Sequence, residues 1–279
     1  MTAESLTNRL VGLIRETSSS LPEDVCRALR AARRREGRGS SASVVLKTVL
    51  DNCAIARAGG TPLCQDTGTL AFYVHASLRR RVTPSALKRA VAIATERGFL
   101  RRNTIDSVTG ASHDDNCADG APVVHYVMSR PGVTLLMKGG GSENMSRQYS
   151  LPDAALGAGR DLGGVRACVL DAVQKAQGYG CAPGILGVCV GGDRATGHEV
   201  AKEQLLRPLD ERPASASPLA ALERRLLAEA NALGIGPMGL GGKTTLLGVK
   251  IAARPRVPAS FFVTVAYMCW ACRRRTLDL

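Results

Sequence analysis

Three cysteines in glycine- and proline-rich settings, 117 and 88 residues apart, constrain this chain more than any other feature. Cys64 lies in Pro62-Leu63-Cys64-Gln65-Asp66-Thr67-Gly68-Thr69. Cys181 lies in Gly178-Tyr179-Gly180-Cys181-Ala182-Pro183-Gly184, and Cys269 in Ala266-Tyr267-Met268-Cys269-Trp270-Ala271-Cys272. If the three act together, the fold must carry three remote loops to one place. Three thiolates can hold a cubane iron–sulfur cluster at three corners and leave the fourth iron without a protein ligand. An open metal position separates a catalytic site from a closed structural one. Such an iron beside Gln65 and Asp66 can polarise a hydroxyl leaving group. Taken alone, the trio reads more readily as small buried core residues, as most intracellular cysteines are.

The surrounding residues shift that balance. Besides Pro62–Thr69, the informative runs are Leu100-Arg101 with Asn103, Asp115-Asn116, Lys138-Gly139-Gly140-Gly141-Ser142-Glu143-Asn144 and Gly191-Gly192-Asp193-Arg194. Later come Ala201-Lys202 with Gln204-Leu205, Gly234–Gly242 with Thr244-Thr245, and Val265–Arg274. In these runs the chain resembles the alpha subunit, or N-terminal half, of the iron–sulfur hydro-lyases, the class I fumarate hydratase and L(+)-tartrate dehydratase family. The likeness covers residues 5 to 275, in order and without large gaps.

The resemblance implies an enzyme that adds or removes water on a four-carbon 2-hydroxy dicarboxylic acid. It implies a [4Fe–4S] cluster held by Cys64, Cys181 and Cys269, with Cys272 a bystander. Gln65 and Asp66 would contact substrate, and Asp66 would be the general acid. Arg101 would grip a substrate carboxylate, a task suited to the forked guanidinium. Gly141 and Asn144 would belong to a glycine-rich substrate loop, where backbone N–H groups can approach an anion. The base and other substrate groups would come from a separate beta subunit, in an alpha2beta2 heterotetramer. Two departures stand out. Val257 occupies a place where family members often carry histidine, and Met145 one where they often carry lysine. They leave fumarate/malate and tartrate both open as substrates. They also motivate an alternative, a noncatalytic iron–sulfur or metal-binding scaffold derived from the family.

Other motifs fall away on context. Gly234-x-Gly236-x-x-Gly239 spells a dinucleotide fingerprint but follows a helical stretch, where the fingerprint needs a strand. Pro237–Thr244 nearly spells a phosphate loop and fails for the same reason. A glycine segment packed near the active site is the better reading. Cys269-x-x-Cys272 lacks the second pair of a zinc site. Cys26, Cys53, Cys117, Cys168 and Cys189 read as core or surface fillers. The four histidines have no metal-ligand spacing.

Composition sets outer bounds. A chain of 279 residues, 45% apolar, can bury a large core. The longest mostly apolar run, Pro258 to Cys272, is shorter than the roughly 18 residues of a membrane span. Nine cysteines without a secretory leader point to a reducing cytosol, hence a cytoplasmic protein. The net charge of +13 comes from 30 Arg and 7 Lys against 24 acids. Only 4% of the chain is aromatic, and the arginine triplets are isolated, so the basic stripe of a nucleic-acid binder is missing.

The pattern along the chain predicts helices within 4–36, at 43–58, 84–98, 161–177, 195–206 and 218–233. It predicts strands at 69–76, 123–128, 133–138, 185–190, 246–252 and 261–268. The strands at 123–128 and 133–138 look like a hairpin around Ser129-Arg130-Pro131-Gly132. Residues 106–120 read as a long polar loop, and Arg207–Ser217 as a Pro/Ser/Ala linker. The irregular alternation predicts an α+β fold. No linker forces a division, so one large domain over 1–279 is expected, with a helical part at about 1–60 and the cluster site at loops.

Overall fold

The computed structural model describes residues 3–211 and 217–279; the middle of the expected 207–217 linker lies outside the described residues. The elements in chain order begin with α1 Ala3–Ser19, α2 Glu23–Arg35, α3 Ser41–Gly59, β1 Thr69–His75, α4 Pro84–Glu96, β2 Thr104–Ile105 and β3 Ser112–His113. Then come β4 Val123–Val127, β5 Val133–Lys138, α5 Gly140–Glu143, β6 Arg147–Ser150, α6 Leu162–Ala176 and β7 Gly184–Gly191. The last are α7 Arg194–Gln204, α8 Pro218–Ala232, β8 Leu246–Arg254, β9 Phe262–Met268 and β10 Arg273–Leu277. Helices and mixed sheets make an α+β fold, as expected. The chain packs as two compact units: Met1–Pro22 with Asp51–Gly140 and Ala271–Leu279, and Glu23–Leu50 with Gly141–Trp270.

The first unit is built on a sheet of order β10-β5-β1-β4. β1 reads Leu-Ala-Phe-Tyr-Val and is buried along that stretch. A strand apolar on both faces belongs inside a sheet, and β1 lies between β5 and β4. It runs antiparallel to β5 and parallel to β4. The expected hairpin of β4 and β5 is therefore absent: the turn at 129–132 joins strands on either side of β1. α1 and α4 supply the apolar cover, with Leu10, Ile14, Leu87, Phe72 and Leu135 at 0% exposure. α4 starts where Thr83 caps Ala86 N–H and Pro84 takes the first turn. Its Leu87, Ala90, Val91 and Ala94 recur at helical spacing and are all buried.

The second unit has a sheet of order β6-β9-β7-β8. β7 is buried throughout, parallel to β8 and antiparallel to β9. Val165, Val169 and Val173 of α6 and Leu226 of α8 join Leu186, Val188 and Val265 in one core. Asp161 caps α6 through Gly164 N–H, and Asp193 caps α7 through Ala195 and Thr196 N–H. The Gly191-Gly192-Asp193 run thus ends a strand and starts a helix. Glu36, 8% exposed, receives Lys243 N–H on both carboxylate oxygens at 3.0 and 2.9 Å.

Candidate functional site

In the first unit, register brings the singled-out residues to one end of the sheet. β1 begins there, directly after the Cys64 loop. Thr69 pairs with Lys138, so β5 ends there and runs into Gly139-Gly140. Arg273 pairs with Met137, so β10 begins there; Ala71 faces Val123, so the segment before β4 arrives there too. Gly68 locks the loop down. Its φ is +74°, and a Cβ would lie 2.3 Å from the Lys138 carbonyl oxygen, so glycine is required on both counts.

Asp66 is held on three sides. Its backbone N–H donates to Cys64 Sγ at 3.4 Å, and its carbonyl accepts from Arg273 Nη2 at 2.8 Å. Its Oδ1 accepts from Asn103 Nδ2 at 3.2 Å. The carboxylate borders a cavity of about 400 Å³ shared with Asn103, Asn116, Asp119 and Gly140. Gln65 is exposed, and its Oε1 lies 3.7 Å from Cys64 Sγ. Arg101 is anchored by its backbone. Thr67 Oγ1 donates to its carbonyl at 2.8 Å and accepts from its N–H at 2.9 Å. Its side chain is exposed and has no hydrogen-bond or ion-pair partner among the described residues, leaving the guanidinium free for an anion. Neighbouring Arg102 is taken up by Asp114 at 3.3 Å.

Asn116, 0% exposed, ties this end together. Its Nδ2 donates to the Arg101 carbonyl at 2.9 Å and to Thr95 Oγ1 at 3.1 Å. Its Oδ1 accepts from Asn103 and Thr104 N–H at 2.9 and 3.1 Å. A φ of 58° is one that asparagine tolerates better than most residues. Arg273 is 1% exposed, and its Nε and Nη1 have no partner among the described residues.

The second unit repeats the arrangement. Leu186 pairs with Tyr267, Gly184 with Leu246 and Arg147 with Val265, so β7, β8 and β6 begin where β9 ends. Cys181 precedes β7, exposed and at φ 53°; Cys269 follows β9, half-buried. Trp270 N–H donates to the Cys181 carbonyl at 3.2 Å and joins the two cysteine loops. Met238 N–H donates to the Ala182 carbonyl at 2.9 Å, so the 234–242 glycine segment packs on the Cys181 loop. Tyr267 N–H donates to Ser146 Oγ at 3.2 Å, just past the 141–144 loop. Gly141 and Asn144 are exposed, and a Cβ on Gly141 would meet open space. Tyr267 is buried beside both cysteines. Desolvation first, then Cys269 and Cys181, raises its pKa well above the usual phenol range.

None of the nine cysteines is in a disulfide among the described residues. Among the described residues no group of three or more His, Cys, Asp or Glu side chains stands close enough to hold a single metal ion. The donors fit an iron–sulfur group. They are soft thiols, one already accepts an amide N–H, and the other two flank a buried hydroxyl that lacks a partner. Fixed hydrogen-bond donors toward sulfur are what such groups use.

Beside the 141–144 loop, Lys202 of α7 pairs with Glu143 at 2.5 Å. His198, one turn earlier, has its pKa lowered by burial and by Lys202, against the opposing pull of Glu143. A histidine depressed in the folded state stabilises above its unfolded pKa, about 6.5, and loses that contribution as pH falls through the folded value. The urea midpoint should therefore drop as pH goes from 7.5 toward 5. In His198→Asn that drop should be smaller, and an unchanged slope would remove the assignment.

Sequence reading located Cys64, Gln65, Asp66, Arg101, Gly141, Asn144, Cys181 and Cys269 without their supports. Thr67, Asn103, Asn116, Tyr267 and Arg273 supply those supports. Each lies inside a run singled out for its resemblance, which was the available signal. Cys64, Gln65, Asp66 and Arg101 meet at the end of the first sheet. Gly141, Asn144, Cys181 and Cys269 lie at the end of the second.

The strand-end loops of the two α+β units carry the cysteine thiols, a held carboxylate and an arginine side chain with no partner among the described residues. The chain belongs to the fumarate hydratase (Fumerase) family, whose model matches residues 7–278. It is 46% identical over 97% of its length to a Geobacillus stearothermophilus protein named "Putative fumarate hydratase class I", and spans 54% of that relative. It is 32% identical to the "Putative L(+)-tartrate dehydratase subunit alpha" of Methanocaldococcus jannaschii, covering 96% of this chain and 95% of that one. With the L(+)-tartrate dehydratase subunit alpha of Escherichia coli (strain UTI89 / UPEC) it shares 30% identity over 98% of this chain and 90% of the relative. Among the described residues no helix is long and apolar enough to cross a membrane.

Proposed function

We propose that this chain is the alpha-type part of a cytoplasmic hydro-lyase that reversibly dehydrates a four-carbon 2-hydroxy dicarboxylic acid. Cys64, Cys181 and Cys269 would hold a [4Fe–4S] cluster. When bound, the cluster supplies a Lewis-acidic iron that eases departure of the hydroxyl. Asp66 is the general acid and delivers its proton to the leaving oxygen. Asn103 keeps one carboxylate oxygen in place, and the Asp66 backbone is pinned between Cys64 and Arg273. Arg101 receives a substrate carboxylate on its free guanidinium. Backbone N–H groups around Gly141, with the Asn144 side chain and Gln65, bind the remaining oxygens. The base that takes the proton from the adjacent carbon comes from a beta part, carried in an alpha2beta2 assembly. Neither nucleic acid nor membrane is a partner in this reading. The names of the relatives support both the chemistry and the subunit division.

The observation that carries the proposal is the held Asp66. One loop sets a carboxylate, a cysteine thiol and a cavity side by side, with an unpaired arginine clamped to the next residue, Thr67. The test is turnover of malate, fumarate and both tartrates, under anaerobic conditions. The chain would be assayed alone and co-expressed with the product of the neighbouring gene. Activity on one of these acids is expected with both parts, with little or none from the chain alone. Full turnover by the chain alone would exclude the divided site. Inactivity of every combination toward all four acids would leave the noncatalytic scaffold as the better reading.

A further inference from the structure

Tyr267 is a large polar side chain of the second unit, buried beside the cysteine loops, whose hydroxyl is left over by the packing among the described residues. It is 1% exposed, and its phenolic oxygen has no hydrogen-bond partner among the described residues. Buried hydroxyls are nearly always hydrogen-bonded, because losing water without replacement is unfavourable. The chain makes room for this ring. A Cβ at Gly180 would lie 2.3 Å from a ring carbon, and one at Gly184 would lie 2.5 Å from the hydroxyl oxygen. Those glycines flank Cys181, so the phenol is laid against the cysteine loop itself. Its backbone is fixed by pairing with Leu186 and by the bond from its N–H to Ser146. The thiols of Cys269 and Cys181 are the titratable groups that act on it. A neutral phenol offers one O–H donor, and a thiolate sulfur is an acceptor.

We propose that Tyr267 donates its O–H to the thiolate of Cys181 or Cys269 when the cluster is held, and so sets how readily that cluster is oxidised. The inference rests on the cluster reading given above. Hydrogen bonds to cluster sulfurs raise the reduction potential by stabilising the more negative state. Loss of the donor should make the bound cluster easier to oxidise and shorten its life in air. Tyr267 touches no substrate in this account; it is a tuning residue.

The test compares the unmodified chain with Tyr267→Phe after anaerobic reconstitution with ferrous iron and sulfide, in H2O and in D2O. Iron and labile sulfide per chain, the deuterium shift of the Fe–S stretching bands, and the rate of bleaching in air are measured. Equal iron, a smaller deuterium shift and bleaching faster by about tenfold are expected, the scale on which outer hydrogen bonds act at metal sites. Equal iron with an unchanged shift and bleaching rate overturns the role of Tyr267 and leaves the cluster reading intact. An unmodified chain that takes up no iron overturns both. Should the phenylalanine variant fail to fold, 3-fluorotyrosine at 267 keeps the ring and strengthens the donor. Slower bleaching then supports the proposal, and unchanged or faster bleaching overturns it.

Discussion

Serine in place of Cys64, Cys181 or Cys269, each alone, is expected to leave the chain unable to hold the proposed [4Fe–4S] cluster. Serine at Cys272 should keep about four irons per chain. Serine offers a hard oxygen where iron–sulfur chemistry needs a soft thiolate, and a three-ligand site has no spare donor. The four positions differ in their surroundings. Cys64 accepts the Asp66 N–H, and Cys181 and Cys269 lie in loops joined through Trp270. Cys272 is 1% exposed, just before β10, and behaves as a small buried side chain. Iron and labile sulfide after anaerobic reconstitution, with the visible absorption band, give the answer. Full iron in any of the three variants, or zinc bound with equal sensitivity at Cys272, would sink the ligand set.

Asp66→Asn should lower turnover by about 10²- to 10⁴-fold, the usual contribution of a positioned acid. Iron content should not change. An amide oxygen can still accept from Asn103 Nδ2, and neither backbone bond of residue 66 depends on the side chain. The loss would then mark proton delivery and not a displaced loop. The measurement is kcat with iron counted in the same sample. A variant with near-normal kcat would remove Asp66 from the chemistry. A variant that loses iron in proportion to activity would make it a support for the cysteine loop.

Local patterns made most of the elements legible. The Pro84 helix announces itself by its cap, proline and apolar spacing, and β7 by its run of small and β-branched residues. Pairing was harder to see. The turn at 129–132 gives a hairpin signal, yet β1, which begins 54 residues before β4, takes the place between its arms. Such pairing is decided by burial across the whole sheet, which no short window contains. β10 was hidden by charge. Arg273-Arg274-Arg275 reads as a solvated cluster, but Arg273 and Arg274 are buried in the strand. The roles of Asn116 and Tyr267 escaped because they depend on residues remote in sequence, Thr95, Arg101 and Asn103 for the first and the Cys181 loop for the second. The cysteines and Asp66 were legible because the resemblance rests on the loops that carry them.

The chain passes between the two units four times, near residues 22, 50, 140 and 270. Neither unit is a continuous stretch of sequence, so no single cut can release one of them whole. During synthesis the first sheet waits longest. β5 is made early, but its neighbour β10, with the arginine that grips the Asp66 carbonyl, leaves the ribosome some 130 residues later. Until then the strand edge of β5 has no partner on that side. A ribosome stalled after β9 would carry a nascent chain with a finished second sheet and an open first one. Such a chain is exposed to edge pairing along β5.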